Sequence, residues 1–265
     1  MTTRARRWAA AAAAALASSA CGGPRLPQPV DLETMVLVPA GEFTMGRNGG
    51  APDEQPQRRV WVDAFYIDRT EVTNRAYKAF SDAAGYLPPN NPLWNVDYFR
   101  SKPDHPALNL TYDQARQYCA WAGKRLPTEA EWEKAARGTD GRTYPWGNAW
   151  ADSVANFVQG DRYPRTSPVG AFPSGASPYG VFDMAGNVWE WCADWYASDA
   201  YAQSSDRNPT GPAKPGPNRV VRGGSYTGMT SDAEVANRDQ LPPNRLLDHI
   251  GCRCVWSSRL PVDGR

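Results

Sequence analysis

Gly123-Lys124-Arg125-Leu126-Pro127-Thr128-Glu129-Ala130-Glu131-Trp132-Glu133 closes one helix and opens the next. Thr128, followed three residues later by Glu131, has the spacing of a capping box, in which hydroxyl and carboxyl each satisfy a backbone N–H of the first turn. The helix started there ends at Gly138, after Ala135-Ala136-Arg137. Upstream, Thr111 and Gln114 repeat the box, and Gly123 terminates the helix they start. Ala115, Tyr118, Cys119 and Ala122 line one face of it. An earlier helix over residues 73–84 carries Ala76, Tyr77, Phe80 and Ala84 at helical spacing.

Strands flank these helices. Met35-Val36-Leu37-Val38 reads as a buried strand ended by Pro39 and Gly41. Residues 43–46 follow, and Val60, Val62 and Phe65 begin a strand-rich stretch reaching Ile67. Residues 139–220 show no helical period and read as short strands joined by long loops, which usually need disulfides or ions to hold them. No internal repeat is evident. With 23 Gly, 24 Pro, 11 Trp and 12 Tyr, the chain predicts a loop-rich fold anchored by large aromatic residues.

The 265 residues are 41% hydrophobic and 22% charged, an ordinary globular composition that permits one or two domains. Arg4, Arg6 and Arg7, an apolar run over residues 8–17 too short to span a bilayer, and Ser18-Ser19-Ala20 make a secretory signal over residues 1–20. Cys21 directly after the small residues has the placing of an acylated lipoprotein cysteine, with Ser18 where that motif usually has leucine. Residues 21–34 then form a Gly- and Pro-rich tether, and the domain occupies residues 35–262. The alternative is a plain cleaved signal peptide. Formal charge is +1, and removal of residues 1–20 deletes three arginines and no acid, leaving −2. No basic run survives, so no nucleic-acid partner is expected.

Cys119, Cys192, Cys252 and Cys254 remain after Cys21. Export favours disulfides, and four cysteines permit three pairings. Cys252 and Cys254 are too close along the chain to pair comfortably, which favours two long-range bridges. A zinc site is the rival, but the two histidines, His105 and His249, lack ligand spacing with the cysteines.

Further motifs follow in order: Gly41-Glu42-Phe43-Thr44-Met45-Gly46, Glu71-Val72-Thr73-Asn74, Tyr144-Pro145-Trp146-Gly147, Gly186-Asn187-Val188-Trp189-Glu190-Trp191, Arg222-Gly223-Gly224-Ser225-Tyr226 and Gly251-Cys252-Arg253-Cys254. Together with the opening stretch they strongly resemble the formylglycine-generating enzyme (sulfatase-modifying factor) family. The resemblance implies an α/β (α+β) fold with little regular secondary structure, a variant of the C-type lectin fold. Members oxidise a cysteine of a sulfatase Cys-x-Pro-x-Arg segment to formylglycine, using oxygen and Cu(I) held by two thiolates. Soft Cu(I) selects sulfur donors. The family's two cysteines stand two and seven residues after the aromatic residue of Gly-Gly-Ser-aromatic, which here are Gly228 and Ala233. Neither offers a ligand, proton donor or nucleophile, so copper binding and oxidase activity are not expected, and no catalytic residue is assigned.

The resemblance implies a Cys119–Cys254 disulfide. Cys192 and Cys252 stand where Thr and Phe are common in the family and suggest a second bridge, with two buried free thiols as the alternative. It also implies two calcium sites. The first uses the side chains of Asn156 and Asp161 with backbone oxygens of Phe157 and Tyr163; the second uses Asp183 and Glu190 with backbone oxygens of Gly186 and Val188. Such a mixture of carboxylate and carbonyl oxygens suits calcium. The structural alternatives are turn-forming Asp161 and Asp183, and a buried pairing of Glu190 with Arg253 or Arg222. Trp189, Ser225 and Tyr226 fall where the family builds its substrate cleft, although Trp189 also suits a core position. No Ser-His-Asp set, phosphate loop or hydrolase-type acid pair is recognisable.

Two functions are therefore open. The first is a non-oxidase binding or structural module of the bacterial cell envelope, periplasmic or surface-facing. It would be a monomeric lipoprotein, held to the membrane by its N-terminal lipid and facing an envelope protein or peptide. The second is formylglycine generation on an exported sulfatase, or another protein or metabolite modification in the same cleft.

Overall fold

The expected helices and strands are present in the computed structural model, which describes residues 30–157 and 162–257. The signal segment, Cys21 and most of the tether lie outside the described residues. Strand β1 (Met35–Val38) pairs antiparallel with β4 (Phe65–Asp68), which also pairs with β9 (Val255–Trp256). Strands β2 (Gly41–Met45) and β3 (Arg58–Val62) form a second pair. Phe43, Met45, Val60 and Val62 are buried at every second position, the period a half-buried strand requires.

Helices α1 (Asn74–Ala84), α3 (Tyr112–Trp121) and α4 (Glu129–Arg137) each begin one residue after the threonine identified as their start, because that threonine is the N-cap. Both halves of both capping boxes form: Thr128 Oγ1 accepts from Glu131 N at 3.2 Å, and Glu131 Oε2 accepts from Thr128 N at 2.8 Å. Gly85 and Gly138 follow α1 and α4 at φ 69° and 75°, where a Cβ would be strained. The four-residue helices α2 (Tyr98–Ser101) and α5 (Ala200–Gln203) are too short to leave a period in the sequence.

Helix α4 has no exposed face. All nine of its residues are buried, although five are charged, because it is enclosed by β2, β3, β5 (Trp189–Trp195) and β6 (Arg219–Arg222). Each charge has a partner. Glu129 accepts from Arg222 and Arg238 at 3.0 and 2.7 Å, and Glu133 from Arg222 and the Gly46 N–H at 2.7 and 2.8 Å. Lys134 donates to the carbonyls of Pro39, Gly41 and Val62 at 2.7–3.1 Å. Glu131 receives Arg125 at 2.6 Å, and Arg137 donates to Thr44 O and Gly46 O. Burial alone would raise the Glu129 carboxyl, but Arg238 and Arg222 outweigh it and hold it below the usual range.

A four-stranded sheet ordered β7 (Asp239–Leu241), β6, β5, β8 (Ile250–Gly251) divides the interior. Side chains alternate across it. Trp189, Trp191, Val221, Ile250 and Cys252 face a core shared with α1 and α3, whereas Cys192 and Val220 face the core that holds Trp132 and the β1–β4 strands. The Cys119–Cys254 disulfide ties α3 to the chain entering β9, as the family resemblance implied, with Cα atoms 5.6 Å apart. The expected second bridge is absent. Cys192 and Cys252 are buried free thiols, and they belong to cores on opposite sides of the sheet. Burial pushes both thiols well up, leaving them poor nucleophiles.

Candidate functional site

At the end of β6 the chain turns sharply through Gly223 and Gly224, at φ 98° and 72°. A Cβ on Gly224 would lie 2.9 Å from Asp232 O and 3.0 Å from the Phe157 ring, so this close approach excludes other residues. The turn delivers Ser225 and Tyr226 into the interior. Ser225 Oγ shares a 2.9 Å hydrogen bond with Thr227 Oγ1, and Tyr226 OH donates to Asp248 O at 3.2 Å. Burial, with Asp248 nearby, pushes the Tyr226 phenol up to about 12. Trp189 is buried in the α1/α3 core. None of these three expected cleft residues lines the open cleft.

The cleft lies one step along the chain. It has a volume of about 850 Å³ and aromatic walls from Trp150, Phe157, Tyr163 and Phe172, with Thr227, Gly228 and Met229 along one side. Arg162 and Asp152 supply charge, and the Arg162 guanidinium lies 5.3 Å from the Tyr163 ring centre. Gly228 therefore lines the cleft, whereas Ala233 is buried behind it among Phe157 and Ala185. Between them Asp232 folds back, and its Oδ2 accepts from Met229 N at 2.9 Å. A Cβ on Gly228 would fall 2.7 Å from that same oxygen. The space that a side chain at position 228 needs is filled by Asp232.

Copper is the metal that the family resemblance implies here, and the residues do not fit it. Gly228 and Ala233, at the positions that the resemblance gives to the thiolates, carry no donor atom, and the Asp232 carboxylate between them is a hard oxygen donor where Cu(I) selects sulfur. The two free thiols are buried in the cores away from the cleft lining.

Of the expected calcium ligands, Asp161 lies outside the described residues. Asn156 lines the cleft, and its Nδ2 donates to Arg165 O at 2.8 Å and Asn187 Oδ1 at 3.2 Å. Phe157 and Tyr163 are cleft-wall residues. Glu190 is fully buried and adopts the structural alternative: both its oxygens receive Arg253, at 2.6 and 2.7 Å, and Oε2 also receives Trp132 Nε1 at 2.7 Å. Asp183 and Asn187 flank Gly186 at φ 55° and 61°, left-handed positions that Asp and Asn tolerate. Asp183 Oδ2 accepts from Gly170 N at 2.5 Å, and burial pushes its carboxyl up to about 6.

Glu71, to which the sequence attached no role, lies beside Asp183. Phe182 N donates to Arg69 O and Val72 N to Cys252 O, clasping the Glu71 segment between the loop of Asp183 and that of Arg253. Glu71 is 2% exposed, and neither of its carboxylate oxygens has a hydrogen-bond donor. Burial first, then Asp183, pushes its carboxyl well above the usual range. Its presence in Glu71-Val72-Thr73-Asn74 was the available signal. Among the described residues no ready-made group of three or more His, Cys, Asp or Glu ligands converges on one point. His105 shares a 3.0 Å bond with Thr166 Oγ1, and burial, with Lys102, lowers it to about 4. It serves packing there.

A sparsely helical α+β frame with a Gly-Gly-Ser turn at an aromatic cleft defines a formylglycine-generating-enzyme-like domain. Accordingly, residues 24–258 match the family described as sulfatase-modifying factor enzyme 1-like domain, and the chain belongs to that family. It is 36% identical to the formylglycine-generating enzyme of Thermomonospora curvata, across 87% of this chain and 95% of that protein. It is 32% identical to the inactive C-alpha-formylglycine-generating enzyme 2 of Bos taurus, across 86% and 89%. Among solved structures, PvdO from Pseudomonas aeruginosa superposes with a TM-score of 0.70 at 30% identity, over 83% of this chain and 93% of that one.

Proposed function

We propose that this chain is a non-oxidase member of its family, an exported, lipid-anchored module of the cell envelope that binds a protein or peptide in the aromatic cleft. One observation carries the reading: Asp232 packs against Gly228 at the cleft edge, where the resemblance puts Gly228 and Ala233 at the family's thiolate positions. A relative named as inactive, matched over 89% of its length, supports it, since the family then holds members without the activity. Among the described residues the cleft offers flat aromatic faces, one guanidinium and one carboxylate, groups that bind and orient a ligand without breaking a bond in it. Calcium, as a structural ion, completes the reading. The hard oxygens around Asp183 suit it, and the orphaned oxygens of Glu71 are ones a cation would satisfy.

The test is aerobic incubation of the disulfide-formed chain, loaded with Cu(I), with a Cys-x-Pro-x-Arg peptide, beside a cysteine-containing relative. No conversion of thiol to aldehyde by mass is the expected outcome while the control turns over. Turnover would establish the second reading, modification of an exported sulfatase or another substrate in the same cleft.

A further inference from the structure

We propose that the loop over residues 85–96 docks on a phospholipid bilayer and dips Leu87, Leu93 and Val96 into its surface. The inference rests on the lipid-anchored reading above and adds a second point of membrane contact to it.

The loop follows α1 and carries no charged residue in twelve positions. Leu87, Leu93 and Val96 are 82%, 99% and 83% exposed. A single exposed leucine is ordinary, but three aliphatic tips within ten residues of an uncharged loop mark an interaction site. The loop is braced rather than slack. Asn91 Nδ2 donates to Val96 O, and Asn91 Oδ1 accepts from Phe99 N, both at 2.8 Å. Asn109 Nδ2 donates to Asn90 O at 2.9 Å, Trp94 Nε1 donates to Asp248 Oδ2 at 2.8 Å, and the Tyr86 ring stacks on Phe80 at 4.7 Å. These ties fix the backbone while the aliphatic side chains stay in solvent.

The surroundings favour a bilayer over a protein partner. Protein interfaces take most of their energy from aromatic and arginine anchors. Here the tips are aliphatic, and both aromatic rings of the loop are engaged within the chain. A bilayer asks only for apolar area with cations at its rim. Asn109, which holds the loop through Asn90, also donates its N–H to Leu247 O at 3.2 Å, so the segment with exposed Arg245 and Leu246 lies beside it. The exposed Arg165 guanidinium stands 5.8 Å from the Trp94 ring centre. The neighbouring carboxylates are already engaged, Asp97 by Arg100 and Asp248 by Trp94 and His249. Guanidiniums beside apolar tips suit anionic headgroups. Reach agrees. Val30, the first described residue, is nine residues beyond Cys21, a chain length of about 30 Å at most. An acyl group on Cys21 would keep the domain beside the bilayer.

The experiment uses the full acylated chain in vesicles of phosphatidylethanolamine and phosphatidylglycerol. An environment-sensitive fluorophore is attached at Leu93→Cys and, in a second protein, at Lys214→Cys, an exposed position in another loop. Position 93 is expected to emit further to the blue and to be quenched several-fold more strongly by brominated lipid than position 214. Adding Leu87→Asn and Val96→Asn to the first protein is expected to remove most of that difference; both side chains are exposed, so the fold is kept. A chain that floats with the vesicles but is quenched equally at both positions, or a difference that survives the double substitution, overturns the role of the loop and leaves the anchor standing. A chain that does not float with the vesicles overturns the anchor and this inference together.

Discussion

Single atoms decide what the cleft can do. At position 228 the missing Cβ leaves room for Asp232, whose carboxylate caps the short turn over Thr230–Ala233. Gly228→Ala should destabilise the domain by about 1–3 kcal/mol, the usual cost of overpacking. In an Asp232→Ala background most of that cost should vanish, which a double-mutant cycle in denaturant would measure. Equal costs in both backgrounds would mean that Asp232 does not fill the site. Asp194 shows the same sensitivity to surroundings. It is buried at the start of α4, where its Oδ2 accepts from Glu129 N at 2.8 Å, yet burial, with Glu129 beside it, pushes its carboxyl up to about 8. Glu131 adds to the rise and Arg238 opposes it. Between the ordinary carboxylate range and about 8 the native state holds a proton that the unfolded state has lost. Stability should therefore fall as pH rises through this window, and Asp194→Asn should flatten that slope in melting temperature. An unchanged slope would place the titration elsewhere.

Among the elements, α4 is the one on which the others are arranged. Its start was plain from Thr128 and Glu131, since capping is local chemistry. Thr128→Ala should cost about 1 kcal/mol, read as a shift in denaturation midpoint at unchanged slope. Its complete burial was not legible. Glu-Ala-Glu-Trp-Glu-Lys-Ala-Ala-Arg has the charge density of a surface helix, and partners distant in the chain, Arg222 and Arg238 for Glu129 and Glu133 and the carbonyls around β2 for Lys134 and Arg137, explain why it lies inside. The central sheet gives a second case. Period-two alternation in β5 puts Trp191 and Cys192 on opposite faces, but which core each face meets depends on the layers packed above and below.

For the whole molecule, one covalent tie stands out. The Cys119–Cys254 bridge spans 135 residues of sequence. Its reduction should lower stability by about 4–5 kcal/mol on the chain-entropy account. Thiol labelling of the denatured, unreduced chain without Cys21 should find Cys192 and Cys252 free and Cys119 and Cys254 protected. Full protection of all four would restore the second bridge. The cleft belongs to the same scale: its walls come from the loops around Trp150 and Tyr163, from Phe172 and from the turn after β6. Ser225 and Tyr226 directly precede that turn in sequence, but their side chains are buried, as is Trp189.

The amino-acid sequence by itself determined the helix starts, the strand positions and the family. Each is set by neighbours within a few positions or by an ordered series of motifs. The tertiary structure alone decided that α4 is central, that Cys192 and Cys252 face different cores, that Glu190 belongs to Arg253, and that Glu71 lies unpartnered beside Asp183. The reason is common to all four. Burial and the pairing of buried charges depend on groups far apart in the chain, and nothing local to a residue records which distant partner will reach it.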